Sequence, residues 1–173
     1  MLMGTAAELR ERYDLVIFDA DDTLRRTTVP GQPCPRADDE WEFLPGRREL
    51  LSLLVSSEDV NVGIASNQDQ VGHGLIAENT ARALLAALLE QAGASTIDFD
   101  AIQLCPHPAT LDCQCRKPAP GMLRRLMTHF AVRPARTLFI GDSPSDQEAA
   151  HRAGVNFRWA HDVFSDHQLA NSD

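Results

Sequence analysis

Three carboxylates crowd into four residues, Asp19, Asp21 and Asp22, directly after the apolar run Leu15-Val16-Ile17-Phe18. Like charges packed this closely repel, and a bound divalent cation is the simplest compensation. A carboxylate in such a group can also attack phosphorus and form an aspartyl-phosphate. The plain alternative is a polar turn capping the next element, where Asp and Thr23 are at home. Three further segments bear on that choice. Ser66-Asn67 follows the apolar run Val62–Ala65, and Arg116-Lys117-Pro118 precedes a helical stretch. Gly141-Asp142-Ser143-Pro144-Ser145-Asp146 follows a third apolar run, Thr137-Leu138-Phe139-Ile140. In chain order these offer acid, hydroxyl with amide, cation, and acid again. That is the inventory phosphoryl transfer requires: a nucleophile, metal ligands, neutral donors for phosphate oxygens, and a cation for developing charge.

The elements around these residues must bring them to one edge. Short apolar runs predict strands over 15–18, 60–65, 99–104, 137–140 and 155–160. Helical spacing predicts helices over 47–55, 80–91 and 122–130, and Gly93 stops the second. Ser145-x-x-Glu148 reads as a capping box opening a helix that Gly154 ends. Alternating strand and helix imply an α/β, Rossmann-like parallel sheet with helices on both faces. Acids at the carboxyl ends of buried parallel strands sit where such sheets bind ligands. The segment from Arg25 to Glu42 is a polar, proline-rich excursion, and Gln68–Gly74 is a glycine-containing loop. No repeat, heptad or domain linker is visible. The whole chain, 1–173 with a core of about 13–160, therefore reads as one domain without room for a large cap.

Composition agrees. A chain of 173 residues, 43% of them hydrophobic, is long enough for a substantial core and excludes a largely disordered protein. No apolar stretch approaches the roughly 20 residues of a membrane span. Met1-Leu2-Met3-Gly4 lacks a signal peptide's basic and apolar regions, so the expected compartment is cytoplasmic. The net charge of −9 leaves no basic surplus for neutralising nucleic-acid phosphates. Nothing in the chain fixes an oligomeric state.

In the order Asp19-x-Asp21-x-Thr23, Ser66, Lys117, Asp142 with Asp146, the chain resembles the haloacid dehalogenase superfamily of phosphohydrolases, over about residues 13–159. The resemblance implies specific roles. Asp19 attacks phosphorus, with Mg²⁺ held by the Asp19 carboxylate, the Asp21 main-chain carbonyl and Asp142. Asp21 protonates the leaving alcohol and then deprotonates the hydrolytic water. Ser66, Asn67, Arg116 and Lys117 bind the phosphate oxygens, Thr23 secures the loop, and Asp146 supports the metal from behind.

A second cluster lies beside Lys117. Cys105-Pro106-His107 is followed five residues after the histidine by Cys113-Gln114-Cys115. Three thiolates and one imidazole can close a tetrahedral zinc shell with no open position, which is the pattern of a structural Zn²⁺ site. A reduced thiol cluster or a disulfide are the alternatives, and an intracellular chain argues against the disulfide. The arrangement through Cys115-Arg116-Lys117-Pro118 is similar to the branch containing histidinol-phosphate phosphatases and heptose bisphosphate phosphatases. Glu42–Gly46, Ser66-Asn67-Gln68 and Pro118–Leu123 are similar to that branch as well. The resemblance implies a small phosphomonoester as substrate, with a sugar phosphate or bisphosphate first and histidinol phosphate second. For the latter, the acids Asp38, Asp39 and Glu40 could pair with its ammonium. A polynucleotide 3′-phosphatase and a non-catalytic binding protein are rival readings.

Several positions depart from the family pattern. Asp22 stands where Gly is usual, Ser66 replaces Thr, Ser143 stands where relatives carry Lys, and the spacer after His107 is short. Cys34 reads as a free loop thiol, and Trp41 and Trp159 as packing anchors. His129, His151, His161 and His167 have no ligand-like spacing, while His73 lies in a loop that often borders substrate in this fold.

Overall fold

The computed structural model describes residues 2–164. A helix α1 (Leu2–Arg12) leads into β1 (Leu15–Phe18), followed by β2 (Arg25–Thr27) and β3 (Trp41–Phe43). Then come α2 (Arg47–Val55), β4 (Asn61–Asn67), α3 (Glu78–Gln91), β5 (Ile102–Cys105) and α4 (Gly121–His129). The chain continues through β6 (Thr137–Gly141), α5 (Pro144–Ala153), β7 (Asn156–Trp159) and α6 (Ala160–Phe164). Five strands form one parallel sheet in the order β5-β4-β1-β6-β7. β1 lies in the middle because all four of its residues are apolar and buried, as a strand covered on both faces requires.

Period-two alternation divides the core. Val16 and Phe18 face one layer with α1, α2, α3 and α6, alongside Ile64, Leu138 and Ile140. Leu15 and Ile17 face the other with α4 and α5, alongside Phe139, Met122 and Leu126. Helices therefore cover both faces, as the alternating pattern predicts. No helix among the described residues is long and apolar enough to cross a membrane. His167 lies outside the described residues.

Connections from β1 run toward β4, and those from β6 run toward β7, so the sheet order reverses between β1 and β6. A crevice opens at the carboxyl ends of such a strand pair. Asp19 and Asp142 stand one residue beyond β1 and β6, on its two sides.

Five local features differ from the sequence reading. The excursion after β1 carries an antiparallel pair, with Arg25 opposite Phe43 and Thr27 opposite Trp41. Residues 99–101 form a 3₁₀ turn, so β5 begins at Ile102 and places Cys105 at its end. An N-terminal helix and a short final helix were not predicted. The capping box is Ser143 with Asp146 rather than Ser145 with Glu148, because Pro144 takes the first helical position that suits proline.

Candidate active site

Each acid reaches the crevice through a local device. After β1, Leu24 and Arg25 donate their amides to Ala20 O at 2.8 and 3.1 Å, and Asp22 N donates to Arg25 O at 2.7 Å. This tight loop puts Asp22 at φ 63°, a left-handed conformation that Asp tolerates better than most residues. That accounts for Asp22 in a position where glycine is usual. After β6, Asp146 is the third residue of α5. Its Oδ2 accepts from Ser143 N at 3.1 Å and from Ser143 Oγ at 2.7 Å. Ser143 is thus the helix cap. Gly141 makes room for this box, since a Cβ there would stand 2.6 Å from the Asp146 side chain.

Lys117 arrives from the opposite side. Its Nζ pairs with Asp19 Oδ1 at 2.5 Å and Asp146 Oδ1 at 2.7 Å, and donates to Ala65 O at 2.9 Å. Asp19, Asp146 and Lys117 are all buried, whereas Asp142 is exposed at the mouth. Burial pushes the Asp19 carboxyl up to about 7, against the pull of Lys117 and with Asp146 pushing the same way. Burial also works against the Lys117 ammonium, but Asp19 and Asp146 outweigh it and hold the ammonium above its ordinary range.

Carboxylate oxygens of Asp19, Asp142 and Asp146 lie within 4.8 Å of one another. Three carboxylates against one ammonium leave two negative charges uncompensated when all are ionised. This oxygen-donor set suits a divalent cation such as Mg²⁺. Thr23 Oγ1 donates to Asp142 Oδ1 at 3.2 Å and ties the two sides of the crevice together.

The remaining predicted residues divide. Ser66, buried at the end of β4, accepts from Gln68 Nε2 at 2.8 Å. Asn67 is engaged by the Lys117 peptide: its Nδ2 donates to Lys117 O at 3.2 Å and its Oδ1 accepts from Lys117 N at 3.0 Å. Its carboxamide therefore clamps the lysine loop. Arg116 donates to His107 O at 3.1 Å and pairs with Asp69 at 3.3 Å, joining the cysteine loop to the loop after β4. Asp21 is not one of the three converging acids; its carboxylate accepts from Arg25 Nε at 2.9 Å and from Gln68 Nε2 at 2.7 Å. Neither Arg25 nor Gln68 was given a role from sequence, although Gln68 belongs to the Ser66-Asn67-Gln68 resemblance. The signals were present, as Arg25 stands four residues after Asp21 and Gln68 alternates with Ser66.

Cys105, His107, Cys113 and Cys115 converge. The Sγ–Sγ distances are 3.2, 3.5 and 3.7 Å, and His107 Nδ1 lies 3.2 and 3.6 Å from Cys115 and Cys105. Sulfurs about 2.3 Å from a tetrahedral zinc ion would be separated by about 3.8 Å. The cluster is close to that shape, so the donor set fits zinc. All three thiols are free of disulfides. The same loop supports its neighbour: a Cβ on Gly72 would stand 2.5 Å from Pro106 O, so only glycine lets the 68–74 loop pack there.

Cys34 is free and buried, with burial and the adjacent Asp21 pushing its thiol up. His73 is exposed in the loop after β4. Trp41 packs edge-on to Phe43 at 5.3 Å, and Trp159 stacks with His161 at 5.8 Å. Glu40 is engaged within its own loop by Gln32 and the Arg36 amide, whereas Asp38 and Asp39 are exposed.

Comparison with known proteins finds a family model described as polynucleotide kinase 3 phosphatase, matching residues 14–171. The D-glycero-beta-D-manno-heptose-1,7-bisphosphate 7-phosphatase of Pseudomonas aeruginosa is 30% identical over 148 residues, 86% of this chain and 76% of the relative. Its counterpart from Bordetella bronchiseptica is 34% identical over 143 residues, 81% of this chain and 76% of the relative. The crystal structure of D,D-heptose 1.7-bisphosphate phosphatase from B. bronchiseptica, complexed with magnesium and phosphate, is similar at a TM-score of 0.70. Identity there is 33%, covering 83% of this chain and 78% of that one. A solved structure from Mesorhizobium loti, 22% identical at a TM-score of 0.66, shares the fold, covering 83% of this chain and 70% of that one.

Proposed function

The chain belongs to the polynucleotide kinase 3 phosphatase family of haloacid-dehalogenase-like phosphatases, and on that premise we propose that it hydrolyses a small sugar bisphosphate. Heptose 1,7-bisphosphate is the leading candidate. The observation that carries the reading is the joining of the acid–lysine pocket to the cysteine loop. Cys115 is two residues from Lys117, in a chain that spans 76% of relatives named for that substrate.

In the mechanism we assign, an Asp19 carboxylate oxygen attacks phosphorus while the bond to the leaving oxygen breaks. Asp21 gives that oxygen its proton. Asp21 then takes a proton from water, whose oxygen attacks phosphorus, breaks the bond to Asp19 and releases inorganic phosphate. Lys117 and Ser66 face the non-bridging oxygens, and Asn67 and Arg116 hold the loop that delivers Lys117. Asp19, Asp142 and the Asp21 carbonyl would hold Mg²⁺, with Asp146 fixing Lys117 beside them. The cation supplies charge neutralisation for phosphate and nucleophile. Zinc at Cys105, His107, Cys113 and Cys115 would stiffen the loop.

The description of the family model favours a second reading, a 3′-phosphorylated polynucleotide. The net charge of −9 opposes it, because phosphate backbones bind through basic surplus. One experiment decides: kcat/KM for heptose 1,7-bisphosphate, other sugar phosphates, histidinol phosphate and a 3′-phosphorylated oligonucleotide, before and after chelation and Mg²⁺ addition. We expect Mg²⁺-restored turnover and about a 100-fold preference for the sugar bisphosphate, equivalent to about 2.7 kcal/mol of transition-state discrimination. An oligonucleotide preference of that size overturns the substrate, and full activity after verified Mg²⁺ removal overturns the metal.

A further inference from the structure

Arg25 is among the largest fully buried side chains of the fold, at 0% exposure. A guanidinium in such a place is costly unless it meets an anion, and an apolar residue of similar volume would often serve packing as well. Among the described residues its one ion pair is with Asp21, Nε to Oδ1 at 2.9 Å. Nη1 donates to Leu84 O on α3 at 2.6 Å, and the guanidinium lies 5.6 Å from the Trp41 ring centre. These contacts anchor it to a helix and to the β2–β3 pair. The other oxygen of Asp21 accepts from Gln68 Nε2 at 2.7 Å. Gln68 has a fixed orientation, because Gln70 Nε2 donates to its Oε1 at 3.1 Å while also donating to Pro35 O at 3.1 Å.

We propose that Arg25 is a positioning residue, fixing the Asp21 carboxylate for proton transfer with the leaving oxygen while Gln68 holds its other side. The inference rests on the acid–base role assigned to Asp21 above. A carboxylate held by one donor can turn about its last torsion, whereas donors on both oxygens stop that rotation. Each oxygen keeps a second lone-pair direction for the travelling proton. The left-handed Asp22 makes the clamp possible, since it closes the loop that returns Arg25 to Asp21 four residues on.

The test is a double-mutant cycle of Arg25→Met and Asp21→Asn, read as kcat/KM on two substrates. One is an alkyl phosphomonoester turned over by the parent, whose leaving oxygen needs a proton. The other is p-nitrophenyl phosphate, whose leaving group departs without one. Arg25→Met should lose about 100-fold on the alkyl ester and only about 5-fold or less on the aryl ester. Arg25→Lys should recover part of the alkyl activity, and the double variant should be no slower than Asp21→Asn alone. Gln68→Met, close in volume, carries the same substrate ratio if Arg25→Met does not fold. Equal losses on both esters, or losses that add in the double variant, would mean that Arg25 only supports α3, and the inference falls. Failure of the phosphatase reading looks different: the parent itself turns over neither ester.

Discussion

Asp19→Asn is expected to lose about 10⁴-fold or more in turnover, in a protein that folds at least as well as its parent. The amide keeps the size of the carboxylate and an acceptor for Lys117 Nζ, but it cannot form the acyl-phosphate. Its effect on stability should run the other way. Asp19 is 6% exposed, with Asp146 also on the Lys117 ammonium, and its carboxyl is pushed up to about 7. An acid whose folded pKa lies above its unfolded value gives stability that is fully present below the unfolded pKa. That stability is lost as pH rises through the folded pKa. Without divalent metal, the parent should therefore lose stability between the ordinary carboxylate range and about pH 7, and the Asn variant should be spared that loss. Thermal midpoints at pH 5 and pH 8 in chelator, with steady-state rates in Mg²⁺, test both halves. Constant, appreciable turnover from the first seconds would remove Asp19 from the nucleophile's place. A rate that climbs over hours would report deamidation.

Residues that define the sheet were legible because buried parallel strands are written locally, as in Leu15–Phe18 and Thr137–Ile140. An acid follows each, and the alternation of elements sends both strand ends to the same crevice. The β2–β3 pair was not legible. Three residues are too few for periodicity, and Arg25 meets Phe43 across a long excursion rather than a tight turn. The capping box was misread by two residues because Ser145 and Glu148 satisfy the pattern as well as Ser143 and Asp146. Pro144 was the deciding signal.

Asn67 shows a deeper limit. Its residue type suits a phosphate donor, but its partner is the peptide of Lys117, 50 positions away, and only the fold brings them together. The same is true of Gln68 on Asp21. Residue type narrows what a side chain can donate or accept, while tertiary structure selects the recipient. Cysteine spacing was more informative, because Cys105, His107, Cys113 and Cys115 do converge to within 4.8 Å of one another, as a four-ligand arrangement requires.

The loop built by that spacing carries the last expectation: Cys113→Ser should lose zinc and activity together, although Cys113 touches no reacting atom. Purified parent should hold about one zinc per chain. Burial pushes the Cys113 thiol up, but donation from the Arg116 amide and neighbouring groups outweighs it and brings the thiol down to about 7. A substantial thiolate fraction is then available to a metal near neutral pH, whereas a serine hydroxyl stays protonated. Without zinc, the segment between the buried Cys105 and Cys115 has little to hold it, since Leu111 is 54% exposed and Asp112 is exposed beside it. Metal binding free energy becomes loop-folding free energy in such a segment. A loss of a few kcal/mol should lower the thermal midpoint by about 5–15 °C at this chain length. Activity should fall by about 10–100-fold, the range seen when groups that orient a site are removed. The physical route is Lys117, two residues beyond Cys115, together with the Gly72 contact that seats the neighbouring loop on Pro106. Elemental analysis, thermal unfolding and kcat/KM should move together, and zinc stripped from the parent should reproduce all three changes and be restored by adding it back. Stoichiometric zinc in Cys113→Ser at unchanged affinity would exclude Cys113 as a ligand. A zinc-free parent with unchanged kcat/KM would separate the metal from the placement of Lys117.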